Sequence, residues 1–450
     1  MNKESGIRNY GKEVLKKFIH NSLIIIRKRS GQSLIEIIVA LTIGALLIGA
    51  ASLALVFVLR SSTTNQGLHS ANVFSQDYID KTRTLADSNW QSVYGLQKGT
   101  STSYMIVASG TNFLVMTGKE GVIENDIEDN LVGRWKFDED PSVLGTQTLD
   151  FSSNQNHGAF VNNPTRSTST CYAGDCISFN GVDARVSVPA PIINAATSSI
   201  TVAAWVRVSS HVNSYNYVSN NWATSPGAWL LYSNLSGEAL FGVVDGTLSQ
   251  KNAHGCASSF TTSTWHWVVG TYDGASVRVY LDGAGCSITS ALPNQLLYTA
   301  SPITIGSWGT PGATTHFMDD VRIYNRALPA NDIAKIFKST SFSRKFFVEN
   351  TCRTNDSAAI ISGTSPCVGS IEDPSTQKIT VVAEWVSSGN TYQNRLVEYI
   401  TRWKNKIFQQ TDWSGGSGVN GPLNNPGRTF SSSTNIEGGA EPGTIKIKGI

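Results

Sequence analysis

"RKRSGQSLIEIIVALTIGALLIGAASLALVFVLR", residues 27–60, decides the architecture of this chain. From Ile37 to Leu59 it carries no charge. At about 1.5 Å rise per residue that segment forms a helix of roughly 35 Å, enough to cross a bilayer core. Arg27, Lys28 and Arg29 precede it, and positive charge flanking a span resists translocation, which predicts a cytoplasmic N-terminus and an outward-facing remainder after Arg60. Glu36 is the odd residue, because an ionised carboxylate inside an apolar span costs about 2.5–3.5 kcal/mol unless something pairs with it. A cleaved secretory signal fits poorly, since its apolar region is shorter and ends in a small-residue cleavage site.

Within this stretch, "SGQSLIEIIVALTIGALLIGAA" resembles the N-terminus of type IV prepilins, with Gly31, Leu34 and Glu36 where that family has them. The resemblance implies a leader, 1–31, cut by a prepilin peptidase between Gly31 and Gln32. It also implies methylation of the new amine of Gln32 and pairing of Glu36 with such an amine as the filament assembles. Two features depart from the family: the mature chain starts with Gln32 rather than an aromatic residue, and the leader is long. The rival reading is an ordinary signal anchor that contains a glutamate.

At 450 residues the chain has room for about two or three domains, and a net charge of +2 argues against an electrostatic commitment to nucleic acid. Only 15% of residues are charged and there are 40 glycines, a composition that fits an extracellular β-rich protein solubilised by hydroxyls and amides. The six cysteines fall as sequence neighbours, Cys171/Cys176, Cys256/Cys286 and Cys352/Cys367, each closing a short loop, which suits local disulfides in an oxidising setting. Other pairings and free thiols are formally open. Zinc is disfavoured because no C-x-x-C spacing occurs and the histidines do not cluster near the cysteines.

Residues 32–90 read as the membrane helix and its continuation, since Asn65 to Trp90 keeps an imperfect apolar face through Leu68, Val73, Phe74, Tyr78 and Leu85. In 91–128, "SYMIVAS" and "NFLVMTG" flank Gly110-Thr111 as a hairpin. Character breaks at "ENDIEDN", and 129–338 reads as a separate module. Short strands resume in 339–413 with "SFSRKFFVENT", "QKITVVAEWV" and "RLVEYITRW". Two arrangements fit: three modules in series, or a small antiparallel sheet of the pilin type, made from 91–128 and 339–413, into which 129–338 is inserted. Insertion is favoured because a lone hairpin of the first flank's size could hardly be stable. The Gly/Ser/Asn-rich segment 414–450 reads as a tail with "TIKIKGI" as a last strand.

Across the middle module, "LVGRWKFDE", "DFSSNQNHGAF", "ISFNGVDARVSV", "ITVAAWVRV", "WHWVVGTYDG", "VRVYLDG" and "MDDVRIYNRAL" resemble the laminin-G-like, concanavalin A-like lectin family in order. The resemblance implies a β-sandwich, and apolar alternation at Val202, Ala204, Val206 and Val208 between Asp-Gly turns agrees with it. The expected fold class is therefore α+β: a long transmembrane helix on a small antiparallel sheet, carrying an inserted jelly-roll sandwich. Trp135, Trp205, Trp265 and Trp267 lie within strands and are expected to pack.

Tyr215, Tyr217, Asn220, Asn221 and Trp222, with Trp308 in another Gly-rich loop, are the candidates for a glycan or protein ligand, against the plainer reading of loop residues that cover a sandwich edge. Calcium is the usual ion of the family the module resembles. Asp138, Asp150, Asn154, Asp183, Asp319 and Asp320 are the candidate oxygen ligands for a structural site, although their spacing does not specify a cage.

Glu124-Asn125-Asp126-Ile127-Glu128 matches the E-x-D-x-E pattern of laminarinase-type glucanases, which carry it on a strand to set two carboxylates on one face. Here it precedes the first sandwich strand, and no other nucleophile, base and oxyanion set is present in the sequence. A non-enzymatic protein is expected. The sequence thus reads as a pilin-like membrane and filament subunit displaying a lectin-like module for attachment, partnered by the peptidase, other pilin subunits and a surface ligand. A monomeric membrane-anchored receptor and a secretion pseudopilin are the alternatives.

Overall fold

The computed structural model describes residues 34–109, 112–139, 146–189, 198–211, 214–220, 228–244, 248–290, 296–297, 299–306, 315–354, 360–362, 367, 370–387, 389–402, 436–438 and 445–447. A helix runs from Leu34 to Ser88. It begins within one compact unit, Met1–Asn65, and ends in a second, Gln66–Ile450. In the first unit its apolar side chains face outward, with Leu34 77%, Leu46 72% and Phe57 76% exposed. That segment is long and apolar enough to cross a membrane.

In the second unit the character of the helix changes. Tyr78, Ile79, Leu85 and Ala86 are buried in one cluster with Phe346, Val348, Ile379, Val381 and Ile400. Those partners belong to an antiparallel sheet ordered Asn112–Thr117, Gly99–Ser109, Ser341–Arg353, Ile371–Ser387, Asn390–Thr401. The short strand Glu120–Ile123 also pairs with the start of Ser341–Arg353, with Ile123 opposite Ser341. The chain therefore leaves this sheet at Ile123 and re-enters it directly across a strand pair, at Ser341. The described strands between these two residues form a sandwich that grows out of one sheet ladder.

The sandwich has two antiparallel sheets. One is ordered Ala284–Ser290, Ser276–Leu281, His266–Tyr272, Ile200–Val208, His316–Tyr324, Cys176–Phe179, Thr165–Ser167, with Leu131–Trp135 also on His316–Tyr324. The other is ordered Gln250–Gly255, Ala239–Val244, Trp229–Ser233, Tyr215–Asn220, Ile303–Gly306, Arg185–Val188, Gly158–Val161, Gln147–Thr148. Val202, Ala204, Val206 and Val208 face the core between them, as a period of two requires. Trp205 and Trp267 occupy the opposite face of the first sheet, where Leu328 and the helix Ala330–Lys338 cover them through Ile333 and Ile336. At Gly270 a Cβ would come within 2.1 Å of the Phe241 ring on the facing sheet, so the sheets approach where a side chain is missing. The Asp282-Gly283 turn has φ of 53° and 77° and joins paired residues Leu281 and Ala284, the primed geometry that tight hairpins favour.

The disulfides are Cys171–Cys176, Cys256–Cys286 and Cys352–Cys367, the pairing that nearness in sequence selects. In the C-terminal segment, Ile436–Gly438 pairs with Ile445–Ile447.

Candidate functional site

Gly31 and Gln32 lie outside the described residues, whereas Glu36 is exposed in the first turn of the long helix. Asn221, Trp222 and Trp308 of the candidate ligand set also lie outside them. The structure corrects the rest of that set. Tyr215 and Tyr217 are 1% and 0% exposed and belong to the sandwich core, with the Tyr217 hydroxyl 2.7 Å from Ser233 Oγ. Asn220 is 5% exposed and donates to the Ser301 carbonyl at 2.9 Å. These residues form a strand lodged between two others, Trp229–Ser233 and Ile303–Gly306, so their aromatic faces meet the core instead of a ligand. Polar residues in and beside it, Asn216 and Ser219 to Asn221, hid that strand from a reading of the sequence.

The six calcium candidates do not fit a cage either. Asp138 accepts from the Gly121 and Asp175 amides, both at 2.8 Å. Asp150 accepts from the amides of Arg134, Ser152 and Asn156. The Asn154 side chain donates to the Val132 carbonyl, and Asp183 is held by the Asn162 and Asn180 amides. Asp319 accepts from the amides of Tyr172 and Ala173, and Asp320 lies against Arg134 and Arg322. Their lone pairs point at protein donors, whereas calcium needs six to eight oxygens aimed at one centre. No group of three or more His, Cys, Asp or Glu able to hold a metal occurs among the described residues. The glucanase-like run is likewise redirected: it is not on a strand, Glu124 accepts from Ser70 Oγ at 2.5 Å, and Asp126 lies between Arg134 and Arg322.

What the acidic residues build is a buried seam between the helix-covered sheet and the sandwich. Glu120 is 5% exposed and receives Lys136 Nζ at 2.7 Å, Arg344 Nε at 2.9 Å and the Tyr78 hydroxyl at 2.8 Å. One carboxylate thus joins the long helix, the outgoing strand, the first residue beyond the first sandwich strand and the returning strand. Burial alone would push its pKa up, but Arg344 and Lys136 outweigh that and hold it well below the usual carboxylate range. Arg344 also reaches Asp77 at 2.6 Å and stands 4.2 Å over the Tyr78 ring. Beside this cluster, Asp126 and Asp320 clamp Arg134 and Arg322, and the two arginines hold both carboxyls low against the opposing effect of burial. The sequence signal for the seam was charge in and just after strands that are otherwise apolar, Arg134/Lys136/Asp138 and Asp320/Arg322, the latter pair two residues apart on one face of a buried strand.

The loop closed by Cys171–Cys176 completes the seam. Tyr172 stacks on Trp205 with ring centroids 3.5 Å apart, and the Tyr172 carbonyl accepts from Ser341 Oγ at 3.2 Å. A Cβ on Gly121 would come within 2.6 Å of the Ala173 carbonyl, so the two modules touch backbone to backbone. Asp138 and Asp319 hold this loop. Burial pushes both carboxyls well above the usual range, and for Asp319 the neighbouring Asp138 adds to it.

A carboxyl whose folded pKa is raised is destabilising once ionised, so stability falls as pH rises from the ordinary value of 3.8 through the folded one. Asp319→Asn keeps an oxygen for the two amides and removes that titration. Its melting temperature should match the parent near pH 4 and exceed it at pH 8; an identical difference at both would contradict the assignment. Calcium added to chelator-treated protein should leave the melting temperature unchanged, and a rise would show a site that these six residues do not explain.

With the geometry in place, known families bear on it. A model described as the prokaryotic N-terminal methylation motif matches residues 26–52, and one described as the concanavalin A-like lectin/glucanases superfamily matches 180–334. No curated protein matches. Among solved structures, the binding domain of Paraclostridial Mosquitocidal Protein 1 is similar at 14% identity and TM-score 0.41, over 61% of this chain and 76% of that one. The receptor binding domain of botulinum neurotoxin D is similar at 12% identity and TM-score 0.39, over 60% and 76%. Likeness of that degree is too loose to argue from. The two family models, by contrast, fall on the apolar helix and on the sandwich: this chain carries a pilin-type methylation motif and a concanavalin A-like, laminin-G-like domain.

Proposed function

We propose that this protein is a pilin-type subunit, cut by a prepilin peptidase after Gly31 and methylated at Gln32, that carries its sandwich outward for attachment to a glycan or surface protein. The observation that supports this best is the manner of insertion. The sandwich leaves and re-enters one sheet at paired residues, Ile123 and Ser341, and is fixed there by a buried ionic seam. A flexible tether would let a displayed module swing, whereas this junction transmits the orientation of the subunit's sheet to the sandwich. Repeating such a subunit along a fibre gives avidity, so a weak single site can hold a cell to a surface. The bulk of the insert favours a minor or tip subunit.

A membrane-anchored receptor that never polymerises is the second reading, and the exposed apolar helix serves it equally well. Mass spectrometry of the N-terminus, from surface-sheared material and from membranes of the same cells, separates them. The proposal expects chains starting at methylated Gln32 in the sheared fraction. Uncut chains confined to the membrane would overturn it and leave the receptor.

A further inference from the structure

The insertion makes a surface that neither module has alone. Where the seam meets solvent, two concavities of about 390 and 190 Å³ lie on either side of Lys119, which lines both. In the larger, Ser101, Ser103 and Thr117 come from the helix-covered sheet, while Arg166, Thr168 and Asp175 come from the sandwich. The smaller is walled by the Cys171–Cys176 loop, with Tyr172, and by Ser341, Ser343, Glu384 and Thr391 of the sheet together with the apolar Phe342, Trp385 and Val386.

The lining has a definite chemistry. Small-molecule sites of comparable size, ~300–1,000 Å³, are mostly apolar, and this one is dominated by hydroxyls. Hydroxyls both donate and accept, which matches a ligand that is itself rich in hydroxyls. The Asp175 side chain is only 2% exposed and faces two cations, Arg166 and Lys119, the latter with Nζ at 3.5 Å. Two cations and one buried carboxylate line the larger concavity, and the buried Glu139 carboxyl also acts on Arg166, so the positive charge offered to a ligand is that of Lys119. Lys119 Nζ also lies 3.2 Å from the Thr168 carbonyl, so its ammonium is tethered in place, and its side chain is 28% exposed to an incoming group. In the smaller concavity Glu384 is matched by Lys345 at 3.2 Å and adds no net charge.

We infer that this seam groove binds a short acidic oligosaccharide, with Lys119 taking an acid group between a hydroxyl-lined subsite and one that mixes hydroxyls with aromatic rings. The site is separate from the sandwich loops, and it does not require filament assembly.

The test is calorimetric titration of the full-length chain in detergent with trigalacturonate and with its methyl ester, which keeps the hydroxyls and removes the charge. Three variants accompany the parent: Lys119→Gln, Ser103→Trp to fill the larger subsite, and Trp222→Ala in the sandwich. Trigalacturonate should bind the parent, with the ester and Lys119→Gln each weaker by about tenfold or more, the scale of one charge-assisted hydrogen bond. Ser103→Trp should abolish binding, Trp222→Ala should not change it, and all three variants should melt with the parent. Absence of binding, or equal affinity of the ester and of Lys119→Gln, would overturn the inference. Binding lost in Trp222→Ala but kept in Lys119→Gln would also overturn it, moving the ligand to the sandwich while leaving the attachment reading intact. The outcome is independent of whether Gly31 is cut, so the two readings fail separately.

Discussion

The structure turns on a single buried carboxylate. Glu120 sits on the last strand before the chain leaves the sheet, and its three partners come from the helix, the sandwich and the strand by which the chain returns. Removing Glu120 itself would take the shared carboxylate from two buried cations, Lys136 and Arg344, and breaking a buried pair in this way costs roughly 3–5 kcal/mol. The four elements are therefore bound to each other's presence. Such networks are weak as sources of net stability, because desolvation offsets most of the attraction. Their effect is on geometry, since the charges are satisfied in one arrangement only.

That constraint explains why the charged residues in the module's end strands do not behave as ligands. Asp138, Asp319 and Asp320 are candidate calcium ligands in the sequence, yet their oxygens accept from the Cys171–Cys176 loop, from Gly121 and from Arg134 and Arg322. These carboxyls form the base on which the inserted sandwich stands. The sandwich's outer tryptophans serve the same end. Trp205 takes Tyr172 of the clasping loop on one side and Phe337 of the short helix on another, closing the apolar part of the seam around its charges.

Much of this was legible in the residues, and the failures have a common cause. The apolar run, the period-two strands, the Asp-Gly turn at 282–283 and the three cysteine pairs are local signals, fixed by residues close in sequence. The long helix ends at Ser88, near the expected Trp90, where the Asn89 side chain accepts from the Gln91 amide and a separate short helix, Gln91–Tyr94, begins. What was misread depends on distant partners. Tyr215 and Tyr217 look like loop aromatics until the strands at 229–233 and 303–306 enclose them. The Glu124–Glu128 run, set aside as a catalytic motif because it precedes the first sandwich strand, still gave no hint that Ser70 and two arginines hold Glu124 and Asp126. Glu120 and Arg344 lie too far apart in sequence for any local pattern to pair them.

The central claim is that sandwich and helix-covered sheet form one mechanical body joined through Glu120. Hydrogen–deuterium exchange of the full-length chain across a urea series tests it most directly. Peptides from the strands at 346–352 and 379–385 should lose protection at the same urea concentration as those at 202–208 and 267–272, and Arg344→Met should lower both midpoints together. A sandwich that stays protected after the sheet has opened, with its midpoint unmoved by Arg344→Met, would show two bodies on a tether and contradict the account.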